Sequence, residues 1–202
     1  KGRADTFDYR GINSNFKKLK TRLIGKHQAK NAACAMAAVE ILRTNGWDIG
    51  DEAIRRGLKN VYWAGIVEFI RKRPLVIVDA AHNPAGAATL RAALQGFKFK
   101  KLALVLGILA DKDVGGILKE LAPVAHTIIL TAPQNTRAAS PGEILQMLDI
   151  KPVKLMLIGL VEDACSVALA ESGPDDAVCI AGSVYTAGEA KDFFAKAPHN
   201  AL

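Results

Sequence analysis

The chain has 202 residues, of which half are hydrophobic and 23% are charged, a composition typical of a folded globular protein and not of a disordered one. No apolar run approaches the roughly 20 residues that cross a bilayer, and the first ten residues lack the apolar centre of a signal peptide, so we expect a cytoplasmic protein without a membrane partner. The formal net charge is +7, and the three cysteines lie far apart, which predicts buried thiols and neither a disulfide framework nor a metal site.

The positive charge lies at the start of the chain. Residues 1–30 hold nine basic and two acidic residues, whereas residues 31–202 hold eighteen of each. A basic segment of this kind can bind nucleic acid, but no DNA-binding motif accompanies it here, so we expect no nucleic-acid partner. The alternatives are a solvated face, or a surface that packs against another part of a longer chain.

The first 62 residues predict short strands followed by two helices. Residues 4–24 alternate short strands with turns. An alanine-rich run predicts a long helix over residues 27–44, and a second, shorter helix follows over residues 51–58. Residues 62–65 then break the pattern and predict a hinge or linker.

From residue 67 onward, continuous apolar runs alternate with helical patterns. Such alternation predicts an α/β fold: a Rossmann-like, open, mostly parallel sheet with helices on both faces, over residues 67–196. The predicted strands are 75–78, 102–106, 127–130, 153–158 and 177–180, and the predicted helices are 84–94, 114–121, 141–148, 162–170 and 186–194.

Open sheets of this kind bind ligands at the carboxyl ends of their strands, and that rule selects polar residues here. Asp79 and His82 follow the first predicted strand in the turn before a helix that begins at Pro84. A carboxylate in this place can accept hydrogen bonds from a ribose or orient a cation, and an imidazole can contact phosphate or transfer a proton. The structural alternative is that Asp79 caps the helix and that His82 is a polar turn residue.

Three further groups have both a functional and a structural interpretation. Residues 111–113, Asp-Lys-Asp, suit a charged site beside an anionic, amine-bearing substrate, or they cap a helix with Asp113 as the N-cap. Ser183 places a hydroxyl at a helix start, where a carboxylate or phosphate is favoured. The amide of Asn31 can pair with an adenine edge, or it belongs to an ordinary polar helix face. The chain has neither a P-loop nor a GxGxxG motif.

Taken together, these segments resemble the folylpolyglutamate synthase/dihydrofolate synthase family of the Mur ligase superfamily. The resemblance implies an enzyme in which a P-loop ATPase domain binds phosphates and magnesium, and a smaller Rossmann-like C-terminal domain closes over it. It also implies that ATP activates a folate carboxylate as an acyl phosphate, which the amine of L-glutamate attacks to form an amide. The matching segments are, in chain order, 25–31 (GKHQAKN), 63–65 (WAG), 79–84 (DAAHNP), Gly107 with 111–113 (DKD), and 182–185 (GSVY) with 188–189 (GE).

On this resemblance, residues 1–62 are the C-terminal remnant of the ATPase domain, 63–66 the interdomain linker, and 67–202 the Rossmann-like ligase domain. Because the chain has no P-loop, we expect it to be inactive alone, with its magnesium ligands in the missing N-terminal domain. The expected partners are that domain, a folate, L-glutamate and ATP, and we expect a monomer.

The resemblance also assigns roles to individual residues of this sequence. The catalytic residues it implies are Asp79 and His82. The nucleotide-binding residues are Asn31 and Asp79, and the glutamate-binding residues are Ser183, Lys112 and Asp113.

The linker departs from the family pattern. The family has Trp-Pro-Gly-Arg there, and its arginine contacts the nucleotide phosphates, whereas this chain has Ile66 at that position. Isoleucine supplies neither the charge nor the donors of a guanidinium. The alternative function is therefore a degenerate, non-catalytic binding domain of the Mur ligase type.

Overall fold

The structure is a computed structural model that describes residues 6–25, 27–149 and 154–196. The chain divides into two units between Ala64 and Gly65, inside the predicted 63–66 linker. Within the described ranges, no helix is long and apolar enough to cross a lipid bilayer.

The first unit contains an antiparallel hairpin and two helices, in the predicted order. The hairpin pairs β1 with β2. A small core joins the four elements, and its buried side chains are Tyr9, Phe16, Leu19, Met36 and Ile54. The elements are β1 (Thr6–Arg10), β2 (Asn15–Lys20), α1 (His27–Thr44) and α2 (Asp51–Asn60).

A buried carboxylate fastens the hairpin turn to α1. Glu40 is 7% exposed and accepts hydrogen bonds from the Tyr9 hydroxyl (3.2 Å), the Ile12 N–H (3.0 Å) and the Ser14 hydroxyl. The Ser14 hydrogen bond is the largest cause that holds the pKa of Glu40 below its ordinary value. The negative form of this carboxylate therefore stabilises the turn.

The second unit is built on a six-stranded sheet in the order β3-β4-β8-β5-β6-β7. Strands β4 to β8 are parallel to one another, and β3 runs antiparallel to β4 at one edge. This arrangement confirms the predicted α/β fold. The strands are β3 (Glu68–Lys72), β4 (Leu75–Val78), β5 (Leu102–Leu106), β6 (Thr127–Leu130), β7 (Lys154–Leu157) and β8 (Ala177–Ala181), and the helices are α3 (Pro84–Leu94), α4 (Val114–Leu121), α5 (Pro141–Gln146), α6 (Val161–Ala170) and α7 (Val184–Lys196).

Helices cover both faces of this sheet. Helices α6 and α7 pack on one face, against strand residues such as Val105 and Val178. Successive strand residues point to opposite faces, and the alternate ones, among them Ile77 and Leu104, are buried as well. Helices α3 and α4 pack on each other, and right-handed crossovers from β4 to β5 and from β5 to β6 place them on that second face.

The prediction of buried thiols is wrong for one of the three cysteines. Cys165 and Cys179 are buried, and burial raises the pKa of both thiols. Cys34, in contrast, is exposed on α1. This helix is apolar around most of its circumference, so its sequence does not identify the covered face.

Candidate functional site

The carboxyl ends of β4, β8, β5 and β6 lie side by side, because these strands are consecutive neighbours in the sheet. Helix α7, which follows β8, packs on one face of the sheet, whereas α3 and α4, which follow β4 and β5, lie on the other. Connections that leave neighbouring strands in opposite directions open a crevice at the strand ends. The loops selected by the sequence therefore line one crevice.

Asp79 directly follows β4 and holds two backbone segments. It is 7% exposed, and its Oδ1 accepts from the Ala81 N–H (2.8 Å) while Oδ2 accepts from the Val67 N–H (2.8 Å). Val67 has a φ of 43°, a left-handed conformation that is strained for a β-branched residue. The carboxylate of Asp79 thus fixes both the strained start of the second unit and the turn that carries His82.

The helix that follows this strand is capped by a different residue from the one that the sequence suggested. Asn83, and not Asp79, is the N-cap of α3, since its Oδ1 accepts from the Gly86 N–H at 2.8 Å. Asn is as good an N-cap residue as Asp. The interpretation of Asp79 as the helix cap is therefore wrong.

His82 is exposed, and one of its ring nitrogens already forms a hydrogen bond within the protein. Its Nδ1 lies 2.9 Å from the carbonyl oxygen of Ala80. Because a carbonyl only accepts, Nδ1 carries a proton and donates it in this hydrogen bond. The ring is thereby oriented, and in its neutral form Nε2 is the nitrogen that can accept a proton or a hydrogen bond.

Ser183 lies in a chain of hydrogen bonds that joins β8 to β5. Its hydroxyl is 1% exposed, lies 2.8 Å from Thr186 Oγ1 and accepts from the Thr186 N–H (3.0 Å). Thr186 Oγ1 donates to the carbonyl of Gly107 (2.7 Å), so Ser183 must donate to Thr186. The hydroxyl of Ser183 therefore caps α7 and ties the start of this helix to the end of β5.

The 111–113 segment combines a cap with a charge cluster. Asp113 is the N-cap of α4 and accepts from the Gly116 N–H (2.8 Å), which confirms the structural interpretation of this residue. Asp111 Oδ2 lies 2.9 Å from Lys112 Nζ and 3.6 Å from Arg137 Nη1. The hydrogen bond from Lys112 is the largest cause that lowers the pKa of Asp111. Two cations share one carboxylate, and such a cluster can attract a further anion.

Arg137 ends residues 131–137, which follow a predicted strand and which the strand-end rule selects, but no individual role was assigned to it from the sequence. Its carbonyl accepts from the Ala110 N–H (2.8 Å), and the N–H of Ala139 donates to the carbonyl of Ile108 (2.9 Å). These bonds join the loop after β6 to the loop after β5. Its place after β6, at the same edge of the sheet as the other residues, is the signal that selected this range, whereas its ion pair with Asp111 is visible only in the structure.

Helix α7 also holds the loops around the crevice. Glu189 accepts from the N–H of Gln134 in the loop after β6 (2.7 Å). Lys191 Nζ lies 2.9 Å from Glu68 Oε2, and the same oxygen accepts from the Gly65 N–H (2.7 Å). The helix that begins at Ser183 thus fixes segments on both sides of the crevice.

The structure brings five of the six predicted site residues to this one edge: Asp79, His82, Lys112, Asp113 and Ser183. Asn31 belongs to the first unit, where it is exposed and donates from Nδ2 to Gln28 Oε1 (3.1 Å). The described part of the chain holds no group of three or more His, Cys, Asp or Glu side chains that could bind a metal ion.

Comparison with known proteins assigns this architecture to a family. Residues 67–184, more than half of the chain, match the model of the Mur ligase, glutamate ligase domain. The chain belongs to the Mur ligase family. The matched segment of this Mur ligase chain includes all five residues gathered at the carboxyl edge.

The relatives of this Mur ligase chain confirm the resemblance that the sequence motifs indicated. The dihydrofolate synthase/folylpolyglutamate synthase of Mycobacterium tuberculosis is 34% identical over 206 residues, covering 93% of this chain and 42% of the relative. A probable bifunctional folylpolyglutamate synthase/dihydropteroate synthase of Haloferax volcanii is 34% identical, covering 87% of this chain and 20% of the relative. The Mur ligase chain thus spans less than half the length of these relatives.

Solved structures agree with this Mur ligase fold. The Mycobacterium tuberculosis folylpolyglutamate synthase complexed with ADP matches with a TM-score of 0.86 and 32% identity, over 96% of this chain and 46% of that chain. A bifunctional folylpolyglutamate synthase/dihydrofolate synthase with manganese, AMPPNP and L-glutamate bound matches with a TM-score of 0.77 and 27% identity, over 92% of this chain and 43% of that chain.

Proposed function

We propose that this chain is part of a cytoplasmic, monomeric, ATP-dependent ligase that adds L-glutamate to a folate. The observation that carries the proposal is the cationic cluster of Lys112 and Arg137 around Asp111, at the carboxyl edge of a Mur ligase glutamate ligase domain. Glutamate is a dicarboxylate with an ammonium group, and a site for it needs fixed cations together with a nearby acceptor. The crevice offers both.

In the proposed reaction, the folate carboxylate is activated as an acyl phosphate by phosphoryl transfer from ATP, and the glutamate amine then displaces phosphate to form the amide. Lys112 and Arg137 bind the carboxylates of glutamate, and Asp113 faces its ammonium group. Ser183 presents the start of α7, whose backbone N–H groups favour an anion. The amine must lose a proton before it attacks, and Nε2 of His82 accepts that proton.

The nucleotide side of the proposal rests on two residues. Asn31 pairs with the adenine edge through its amide, and Asp79 lies at the nucleotide side of the crevice. One relative of known structure binds ADP, and another binds AMPPNP and manganese. Because the described residues of this chain form no metal-binding cluster, the proposal places the magnesium ligands in another domain.

We assign residues 1–62 to the end of that other domain, an ATPase domain, residues 63–66 to the linker, and residues 67–202 to the ligase domain. The surface of the first unit supports this assignment. Ile41 is 62% exposed and Trp47 is 65% exposed, and we infer that these large apolar side chains contribute to a surface that the rest of the ATPase domain covers. The chain alone is therefore expected to have no ligase activity.

The test compares the 202-residue chain with the longest form of the protein in its source cell. The long form should release phosphate from ATP only when magnesium, a folate and L-glutamate are all present, and the short chain should release none. Glutamate-dependent release by the short chain would contradict the inactivity, and a long form that releases no phosphate would overturn the ligase proposal.

A variant of the long form tests the glutamate site itself. Arg137→Gln should raise the KM for glutamate about tenfold, because a charge-assisted hydrogen bond contributes about 1.5–3 kcal/mol, and it should leave the KM for ATP unchanged. Arg91→Gln is the matched control, since Arg91 forms its ion pair with Glu120 on α4 (2.9 Å) and lies outside the crevice loops. An equal rise in KM for both variants would contradict the role of Arg137.

A second function is favoured by Ile66. If the phosphate-binding arginine is absent, the domain binds glutamate or a nucleotide without ligation. The long form would then bind L-glutamate in calorimetry and show no turnover, whereas turnover at a rate typical of an enzyme, about 1 per second or more, excludes this second function.

A further inference from the structure

A cavity lies at the opposite edge of the sheet, where the parallel strands begin. It is open to solvent, and three segments line it: the turn between β3 and β4, the loop before β5 and the loop before β8. The cavity has a volume of about 440 Å³, within the range of small-molecule sites. Its walls are joined by backbone hydrogen bonds from Leu75 N–H to the Asp176 carbonyl and from Lys100 N–H to the Asp175 carbonyl, each 2.9 Å.

The lining carries more positive than negative charge. Four cationic side chains line the cavity, Lys72, Arg73, Lys98 and Lys100, and only two carboxylates accompany them. This surplus is local, because residues 31–202 as a whole hold equal numbers of basic and acidic residues.

Both carboxylates are already engaged. Asp175 Oδ2 lies 2.8 Å from Lys100 Nζ. The oxygens of Asp176 accept from the backbone N–H groups of Lys101 (3.1 Å) and Gly173 (2.8 Å). Among the residues that the structure describes, Lys72 and Lys98 form no ion pair. Two lysines from different segments therefore line one cavity without an ion-pair partner, and the lining as a whole keeps a surplus of positive charge.

We propose that this cavity binds a compact anion with two or more negative charges, of the phosphate or carboxylate class. Lysine ammonium groups are point charges without the planar fork of arginine, so they accept both classes of anion. Leu75, Phe99 and Pro174 also line the cavity, which adds apolar contact for a small organic anion. The site lies at the amino ends of the strands, so it is distinct from the crevice at their carboxyl ends and does not depend on the proposed ligase function.

The test is a titration of the 202-residue chain with an anion in 150 mM salt. The chemical shifts of the backbone amides report the binding. Pyrophosphate and tricarballylate, added separately, represent the two anion classes. We expect saturable shifts in residues 72–75, 98–101 and 173–176 with at least one of them, at about millimolar midpoints. If only pyrophosphate saturates the site, the ligand is a phosphate. If only tricarballylate does, the ligand is a carboxylate. If both do, the site accepts either class.

A double variant and its matched control complete the test. Lys72→Gln with Lys98→Gln should weaken the binding about fivefold, which is about 1 kcal/mol for the pair, because each exposed charge contributes only a fraction of that amount. Lys17→Gln with Lys119→Gln removes the same net charge at exposed sites outside the cavity and should change the midpoint less than about twofold. Shifts that do not saturate, that lie elsewhere, or that weaken equally in both double variants would overturn the proposal.

Discussion

The buried carboxylate of Asp79 has a role in stability that is separate from any role in catalysis. Asp79→Asn keeps one oxygen acceptor but turns an NH₂ group toward one of the two backbone N–H donors, from Val67 or Ala81. An unsatisfied buried donor costs about 1–3 kcal/mol, and the strained Val67 loses its restraint. We expect the free energy of unfolding of the second unit, measured with urea, to fall by about that amount.

The control for this prediction is the same chemical change at a helix cap. Asp113 accepts a single N–H, from Gly116, and Asn is an equally good N-cap, so Asp113→Asn should change the free energy of unfolding by less than about 0.5 kcal/mol. A loss of similar size in both variants would show that Asp79 contributes only its charge.

At the residue scale, the sequence predicted the location of the site better than it predicted the interactions of each side chain. The strand-end rule brought Asp79, His82 and Ser183 to one edge, because it depends only on recognising the parallel strands. The hydroxyl of Ser183, however, hydrogen-bonds to Thr186 in the first turn of the next helix, and composition does not reveal this contact. The same rule selected residues 131–137, but it assigned no role to Arg137, because its partner Asp111 belongs to a different loop.

At the scale of elements, the junction between β8 and α7 depends on close backbone approach to β5. Gly182 has a φ of 110°, and a Cβ added there would lie 2.7 Å from the carbonyl oxygen of Gly107. This obstacle is backbone, so it cannot rotate away. Gly182→Ala should therefore destabilise the second unit by about 1–3 kcal/mol, measured by urea unfolding.

Gly188 provides the opposite case on the same helix. Its Cα faces open space, so Gly188→Ala meets nothing within 4 Å and gains helix propensity. We expect this variant to be more stable by about 0.5–1 kcal/mol. If Gly182→Ala were as well tolerated as Gly188→Ala, the close contact between the two strand ends would be refuted.

The pattern of the elements explains which of them the sequence predicted. Strands β4, β5 and β6 were placed with the observed bounds, because continuous apolar runs are typical of strands buried on both faces. Strand β3 was missed, since Glu68, Arg71 and Lys72 give it the composition of a loop. An edge strand is half-exposed, and its existence depends on pairing with β4, which a local pattern does not encode.

At the scale of the whole molecule, the two units differ in the size of their cores. Among the described residues, five buried side chains form the cluster of the first unit, whereas fourteen form one cluster of the second unit alone. Small cores stabilise weakly, so the first unit depends more on its polar contacts. Glu40, which ties the hairpin turn to α1 through Tyr9, Ile12 and Ser14, is the principal polar contact of this kind.

This dependence predicts that acid unfolds the first unit before the second. The pKa of Glu40 is lowered in the folded state, so its contribution is complete above the ordinary value of 4.5 and is lost as the pH falls through the lower folded-state pKa. Amide signals of β1, β2 and α1 should therefore lose protection from hydrogen exchange at a higher pH than those of β4, β5 and β8.

Two variants separate the carboxylate of Glu40 from the general effect of acid. Glu40→Gln should already weaken the protection of the first unit at pH 7, and it should remove most of the further loss between neutral and acid pH, because no carboxylate remains to be protonated there. Asp48→Asn removes an exposed acid of the same unit and should behave as the unchanged protein does. Simultaneous loss of protection in both units, in all three proteins, would mean that the core of the second unit, and not Glu40, sets the acid stability of the first.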